Sequence, residues 1–453
     1  MTTTPTSPAA GLRDLCAGRV HLPGDAGYDA ARLAWNLAVD QRPAAVALPH
    51  SVGEVVEVVR AAAAAGLRVA PQSTGHAAGP LVAQRLDDVV LLRLSELTGV
   101  SVDPEAATAR VVGGTLWQDV VAEASRYGLT ALHGSAPDVA VAGYVLGGGL
   151  SFYGRRHGLA ANHLRAVELV TADGSVVRAS ADENADLFWA VRGGGGSFGV
   201  VVALEIALLP YADVVAGMLL WDRERSPEVL RAWAAWTREV PDSVTTSLRV
   251  LSFPPLPELP PFLSGRQLVI IDGAVLEDDD RAAELLAPLR ALEPEMDTFG
   301  RIPAAAVLQV HMDPPAPTPA FGNDALLAEL GEDAIEALLG FTGPGTQNAL
   351  LFTEIRQLGG ALADADGPAV VAAPYLLHGI AVTPFPEAVA AGRADAARLL
   401  EVMAPWTAPG RLLTFIDAAV EGHAAHGDRW ERLRTIRDAV DPDRVIVANL
   451  PLD

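Results

Sequence analysis

The sequence predicts an α+β chain in two parts. Residues 1–207, rejoined by a tail at 409–453, form one part, and residues 208–408, a sheet covered by helices, form the other. Three observations lead there. A chain of 453 residues is long for one core and suggests two domains, or one domain with a large insertion. The first part sets three glycine-rich loops between β-branched runs and helical patterns. After about Leu208 the texture changes: proline-rich loops appear at 254–261 and 314–317, between alternating helices and strands with few glycine clusters.

The elements follow in order. From Arg42 to Ala70 the pattern is β-α-β, beginning with a short strand, Val46-Ala47-Leu48, that ends at Pro49. Ser51 and Glu54 predict a capping box, Val52, Val55, Val56 and Val59 repeat at helical spacing, and Gly66 stops the helix. Leu67 to Ala70 is a strand that breaks at Pro71. Residues 88–92 and 108–112 read as strands, and a helix covers about Leu116 to Arg126. Val167–Val170 and Val176–Ala179 flank Asp173-Gly174, a hairpin signal. Ser180 and Glu183 predict the cap of a short helix through Leu187 and Trp189, before Gly193–Gly196 and the run Val200-Val201-Val202. In the tail, Trp430, Leu433, Ile436 and Val440 share a helix face, followed by Asp441-Pro442 and a terminal strand.

Composition narrows the function. Half of the residues are hydrophobic, enough for a sizeable core. No window is long and apolar enough for a membrane span, and Met1–Arg19 lacks the basic flank and apolar centre of a signal peptide, so a cytoplasmic enzyme is expected. Cys16 is the only cysteine, which excludes an internal disulfide and a cysteine-based metal site. The formal net charge of −23 argues against a nucleic-acid partner. All 33 cationic residues are arginine, so a lysine Schiff base and a phosphate-loop lysine are both excluded. Among His133, His157, His163, His311, His378, His423 and His426 no metal-ligand spacing occurs.

The loop after the third strand-like run, Pro71-Gln72-Ser73-Thr74-Gly75-His76-Ala77, carries the chemistry. Small side chains let backbone N–H groups close on an anion, and glycine tolerates positive φ. His76 then supplies a nucleophile at the rim. A lone histidine is usually a packed or surface residue, but this one follows Ser-Thr-Gly directly. Gly194-Gly195-Gly196-Ser197-Phe198-Gly199 matches the dinucleotide fingerprint in form only. A helix precedes it and a strand follows, reversing the required order. A tight turn would explain any one glycine run; one extended ligand explains all three together.

Four stretches together resemble the FAD-linked oxidoreductases of the vanillyl-alcohol-oxidase type, nearest the berberine-bridge-enzyme and carbohydrate-oxidase branch. They are Arg42–His76, Gly134–Gly158 with Leu146-Gly147-Gly148-Gly149, Glu168–Val201, and the tail from Glu431 to Asn449. The resemblance implies a PCMH-type two-part FAD-binding domain with an inserted α/β substrate domain. It implies that Pro71 to Ala77 hold the FAD pyrophosphate and that His76 is bonded to the flavin 8α-methyl. Gly134, Ser135, Asp138, Val139, Val141, Ala142 and Gly143 would run along the flavin and its ribityl chain, with Leu146 and Gly147 beyond them. Gly199 and Val200 would lie on the adenine side, and Asn449 near the pyrimidine edge. Relatives with a second, cysteinyl flavin bond carry the cysteine where this chain has Ala136, so attachment through histidine only is expected.

The implied activity is hydride transfer from a small organic substrate, an alcohol, sugar or secondary-metabolite intermediate, to flavin N5 and then to dioxygen. Two other readings stay open: a flavin-dependent cyclase or rearrangement catalyst, and a degenerate flavin-binding protein. Phe352–Ala361 resembles the family strand that faces the flavin, where period two sends Glu354 and Arg356 to one face. Ser247 and Arg249 share a face on another strand. Glu354 is the candidate general base, with Arg249 and Arg356 as holders of a substrate oxygen. The competing reading is a Glu–Arg pair that only ties the sheet. Where relatives often carry an active-site tyrosine this tail has Ala425-His426-Gly427, which makes His426 a substitute base and Tyr144, Tyr153 and Tyr375 possible contributors.

Overall fold

The computed structural model describes residues 8–452 apart from 258, 365, 366 and 370. The first seven residues of the Thr/Pro/Ala-rich start, Glu258 of the first proline-rich loop, and Asp453 therefore lie outside the described residues.

Three sheets organise the chain. Strands β1 (Val20–His21), β2 (Ala45–Ala47), β3 (Arg68–Gln72) and β4 (Val89–Arg93) form the first, in the order β1-β2-β4-β3. The β2–β4 and β3–β4 pairs are parallel, as a β-α-β connection requires. The connecting helix, Val52–Ala64, buries Val55, Val58, Val59 and Ala62. Its cap is half of the expected box. Ser51 accepts from the Glu54 N–H, but Glu54 turns outward to the His50 N–H and the Arg19 guanidinium. Two partners outside the helix replace the reciprocal bond to Ser51.

The second sheet holds β5 (Val100–Asp103), β6 (Thr108–Val112), β7 (Leu164–Val170), β8 (Val176–Ser180) and β9 (Val200–Ala207), in the order β5-β6-β9-β7-β8. The hairpin at Asp173-Gly174 forms, and Asp173 ties the turn by accepting from Thr171 and Ser175. The helix expected to start at Ser180 begins at Ala185 instead. Asn184, in the left-handed region at φ 51°, precedes it, and the Ser180 N–H is spent on the Glu183 carbonyl. The expected terminal strand is a single bridge, Ile446 to Val69, which joins the tail to the first sheet.

The third sheet begins after Ala207. It comprises β10 (Asp213–Asp222), β11 (Val244–Ser252), β12 (Gln267–Val275), β13 (Met296–Asp297), β14 (Gly300–Pro303), β15 (Ala320–Leu327), β16 (Phe352–Gln357), β17 (Tyr375–Val382) and β18 (Thr407–Ala408). Its spine runs β10-β12-β11-β16-β17-β15, antiparallel throughout. Helices Ser226–Trp236, Asp279–Arg290, Glu332–Thr342 and Pro386–Met403 cover one face, where Leu230, Trp233, Leu286, Leu338 and Leu399 meet Leu248, Ile271, Ile355 and Leu377. Because side chains alternate along a strand, the partners of those apolar positions, Arg249, Asp272, Glu354, Arg356 and His378, point to the other face. That face looks toward the glycine-rich part. Among the described residues, no helix is long and apolar enough to cross a membrane.

Candidate active site

The three glycine-rich loops converge on one cavity of about 430 Å³. Pro71, Gln72, Ser73, Thr74, Gly75, His76 and Ala77 line it from the end of β3. Gly134, Ser135, Ala136, Val139, Ala142, Gly143, Tyr144, Leu146 and Gly147 line it from the second loop and the helix Val141–Leu146. Gly195, Gly196 and Gly199 close it from the third loop, and Asn449 from the tail. Asn449 donates to the Ala77 carbonyl at 3.2 Å, pinning the tail against the first loop.

The first loop is built for an anion. Among the described residues, the backbone N–H groups of Ser73, Thr74, Gly75, His76 and Ala77 donate to no group of the chain. Gly75 has φ +84°, and a Cβ there would lie 2.9 Å from Gln72 Oε1 and 3.0 Å from Ala34 Cα. Only glycine permits this turn without strain. A run of unspent N–H groups at a strand end is an anion-binding concavity.

His76 is fixed on three sides. Thr74 Oγ1 lies 2.8 Å from Nδ1, and the Trp35 indole stacks on the ring at 4.3 Å between centroids and 19° between planes. Asp138 Oδ1 stands 3.7 Å from Nε2, just short of a hydrogen bond, while the Trp35 indole N–H donates to Asp138 Oδ2. Nε2 is buried and has no hydrogen-bond partner among the described residues. Burial pushes the Asp138 carboxyl up, but the His76 imidazole and the Trp35 N–H outweigh it and hold the carboxyl below its usual value. Together the orphaned imidazole nitrogen and the free N–H run fit an FAD whose pyrophosphate sits on the loop and whose ring reaches His76.

Other expected contacts fall elsewhere. Val141 is packed into the core beside Trp117 and Val145, and Val200 into the core between the first two sheets, with Val58 and Val90. Both support the loops from behind and do not line the cavity.

The opposite wall belongs to the third sheet. Arg356 lines the cavity, donates from Nε to Glu354 Oε1 at 2.8 Å and from Nη2 to His311 Nε2 at 3.1 Å, and places its guanidinium 5.1 Å from the Phe415 ring centre. Glu354 itself is wholly buried and is not part of the wall. Burial raises its carboxyl, but Arg356, His311 and His378 hold it well below the usual carboxylate range. A carboxylate so placed cannot meet a substrate, so the general-base assignment is corrected. Arg249 is also withdrawn. It is buried and paired with Asp272, which further accepts from Ser247 and contacts His311 Nδ1 at 2.9 Å. The apolar environment of β11 and β12 makes that pairing obligatory.

His426 is corrected as well. It stacks on Trp430 at 6.1 Å, is 5 % exposed, and lies outside the wall, where burial pushes its imidazole down to about 4. Tyr144 lines the cavity, but its hydroxyl donates to the Leu150 carbonyl at 2.6 Å and burial raises its pKa strongly, so it is not a base. Tyr153 and Tyr375 are buried outside the wall.

Among the wall or support residues that escaped the sequence reading are Trp35, Asp272, His311, Asp313, Asp417 and His378. Asp272 and His378 had a visible signal, a polar residue inside an apolar strand (Ile270-Ile271-Asp272 and Leu376-Leu377-His378). Trp35, Asp313 and Asp417 lie in loops and had none. Asp313 accepts from Ser135 at 2.6 Å, linking the substrate part to the second glycine loop.

Known proteins resemble this chain in its first part and in its fold. Residues 43–180 match the family FAD_binding_4, described as an FAD binding domain. The chain is 38 % identical over 206 residues to (R)-6-hydroxynicotine oxidase of Paenarthrobacter nicotinovorans, covering 45 % of this chain and 44 % of that protein. The matched part thus spans less than half of that relative's length. Among solved structures, the BBE-like 1 protein of Physcomitrella patens superposes with a TM-score of 0.84 at 22 % identity, over 96 % of this chain and 97 % of that one. Glucooligosaccharide oxidase from Acremonium strictum, a protein with a 6-S-cysteinyl, 8α-N1-histidyl FAD, superposes with a TM-score of 0.80 at 22 % identity over 97 % of this chain and 98 % of that one.

Proposed function

Because this chain carries an FAD binding domain within the berberine-bridge-like fold, we propose that it is an FAD-dependent oxidase with the flavin tethered through His76 alone. FAD held there would supply a hydride acceptor whose electrons pass to dioxygen. The chain's own residues do the rest. The Ser73–Ala77 N–H groups bind the pyrophosphate, and Trp35, Thr74 and Asp138 orient the imidazole with Nε2 toward the ring. Arg356, His378 and Phe352 of the third sheet, with His311 of the loop before β15 and Phe415 of the tail, receive a small organic substrate and exclude water.

One observation carries the reading: three glycine-rich loops, distant in sequence, close around a single cavity lined by His76, whose Nε2 is buried and has no hydrogen-bond partner among the described residues. Ala136 lines that cavity where a second, cysteinyl tether would stand, which supports a single bond. The test is acid precipitation of the purified protein. Yellow colour should stay in the pellet for the native chain and move to the supernatant for His76→Ala; colour wholly in the supernatant for both refutes the tether.

A further inference from the structure

Two histidines stand on the substrate wall, and their surroundings differ in one decisive respect. His311 is spent on both sides. Nδ1 contacts Asp272 at 2.9 Å and Nε2 accepts from Arg356 at 3.1 Å. His378 is engaged on one side only. It sits on β17 directly opposite Glu354 of β16, with Nδ1 3.6 Å from Glu354 Oε2. Both of those atoms are buried and neither has a hydrogen-bond partner among the described residues. No group of the described residues bonds to Nε2, and His378 lines the cavity. The rings of Phe352 and Phe415 meet the imidazole edge-on at 5.9 and 5.2 Å, which fixes its plane.

We propose that His378 is the catalytic base of this site and that Glu354 is its positioning residue. The proposal rests on the oxidase reading above. The fully buried carboxylate draws the imidazole proton to Nδ1, which leaves the Nε2 lone pair for the cavity. As the substrate is oxidised, its O–H or N–H bond breaks and the proton goes to Nε2. The hydride leaves the adjacent carbon for the bound FAD, the oxidant, and a C=O or C=N bond forms. The imidazolium then lies beside the Glu354 carboxylate, so the positive charge forms next to a fixed negative one.

The remaining charged groups around the imidazole are few. Asp324, opposite on β15, is bound by Arg411, and burial raises its carboxyl to about 6. Asp417, across the position of Gly322, is raised by burial. Arg356 faces Glu354 rather than His378. Glu354 is thus the one low-pKa carboxylate against the ring.

The test uses the FAD-loaded protein labelled with ¹⁵N-histidine. The His378 signals, identified by their loss in His378→Asn, should show the proton on Nδ1 and the lone pair on Nε2. In Glu354→Gln the preference for Nδ1 should be lost and both tautomers should appear, because the ring no longer faces a fixed negative charge. A neutral ring carrying its proton on Nε2, or a tautomer unchanged in Glu354→Gln, overturns the proposal.

The kinetic arm follows anaerobic flavin reduction by 6-hydroxynicotine, cellobiose and benzyl alcohol. Wild-type reduction should speed up as pH rises, because the base must be neutral to take the substrate proton. His378→Asn, and His378→Gln as a second variant, should slow it by about 100-fold or more and remove that limb, with the bound-flavin spectrum showing that the fold is kept. Fast wild-type reduction with unchanged rates in both variants overturns this proposal alone. A wild-type flavin that none of the probes reduces overturns the oxidase reading and this proposal with it.

Discussion

The indole of Trp35 lies flat on the imidazole of His76 while its N–H holds Asp138, the carboxylate nearest to His76 Nε2. One side chain therefore fixes both the plane of the imidazole and its neighbouring charge. Stacked aromatic pairs contribute about 0.5–1.5 kcal/mol beyond area burial, so the ring loses its orientation when the indole goes.

Trp35→Leu should accordingly lower the acid-stable fraction of flavin severalfold while leaving total flavin binding closer to normal. Asp138→Asn should act in the same direction through the lost charge. Comparing flavin in pellet and supernatant for each purified variant measures this. An unchanged acid-stable fraction in both would show that the stack is only packing.

Gly75→Ala tests the anion loop. Alanine at φ +84° costs about 1–2 kcal/mol in backbone strain, and its Cβ must also displace Gln72 Oε1 or the Ala34 backbone. Melting temperature and flavin per protein should both fall. Flavin retained at full stoichiometry would mean that the N–H groups of residues 73–77 do not hold the pyrophosphate.

The Arg249–Asp272 pair lies in the interior of the third sheet. Arg249→Met leaves Asp272 without its guanidinium and should destabilise the protein by about 3–5 kcal/mol. Adding Asp272→Asn should recover much of that loss. Denaturant midpoints of the two variants decide it, and equal midpoints for the single and double variants would remove the pair from the stability account.

Asp324 gives a pH signature. Its carboxyl is raised from 3.8 to about 6, chiefly by burial and against the pull of Arg411. The fold therefore binds a proton that the unfolded chain has released, so stability falls as pH rises from about 4 to about 6. At about 1.4 kcal/mol per pH unit, the ionised form costs on the order of 3 kcal/mol above that window. Asp324→Asn keeps an oxygen for Arg411 and should raise the melting temperature above pH 6, with no difference from wild type below about pH 4. A gain that does not shrink on acidification would assign the effect elsewhere.

How much of this was legible differs by element. The β-α-β start, the Asp173-Gly174 hairpin and the reversed glycine fingerprint were readable because each is set by neighbours within a few residues. The helix near Ser180 was misplaced because a capping pattern there lost its N–H to a turn carbonyl. Glu354 was correctly put on one face with Arg356, but alternation says which face, not how deep. Depth came from β11 and β17 pairing on either side of β16, which sealed the carboxylate between Arg249 and His378.

The sequence by itself determined the composition of the loops: small residues and glycines where backbone must approach a ligand, and His76 at their edge. Those are local requirements of φ and steric volume, and a linear chain displays them directly. Only the tertiary structure decided which polar residues face the cavity and which are consumed by each other. Trp35 against His76, and Glu354 behind His378, are pairings across loops and strands, and charge partnership in a buried sheet depends on register that no local pattern encodes.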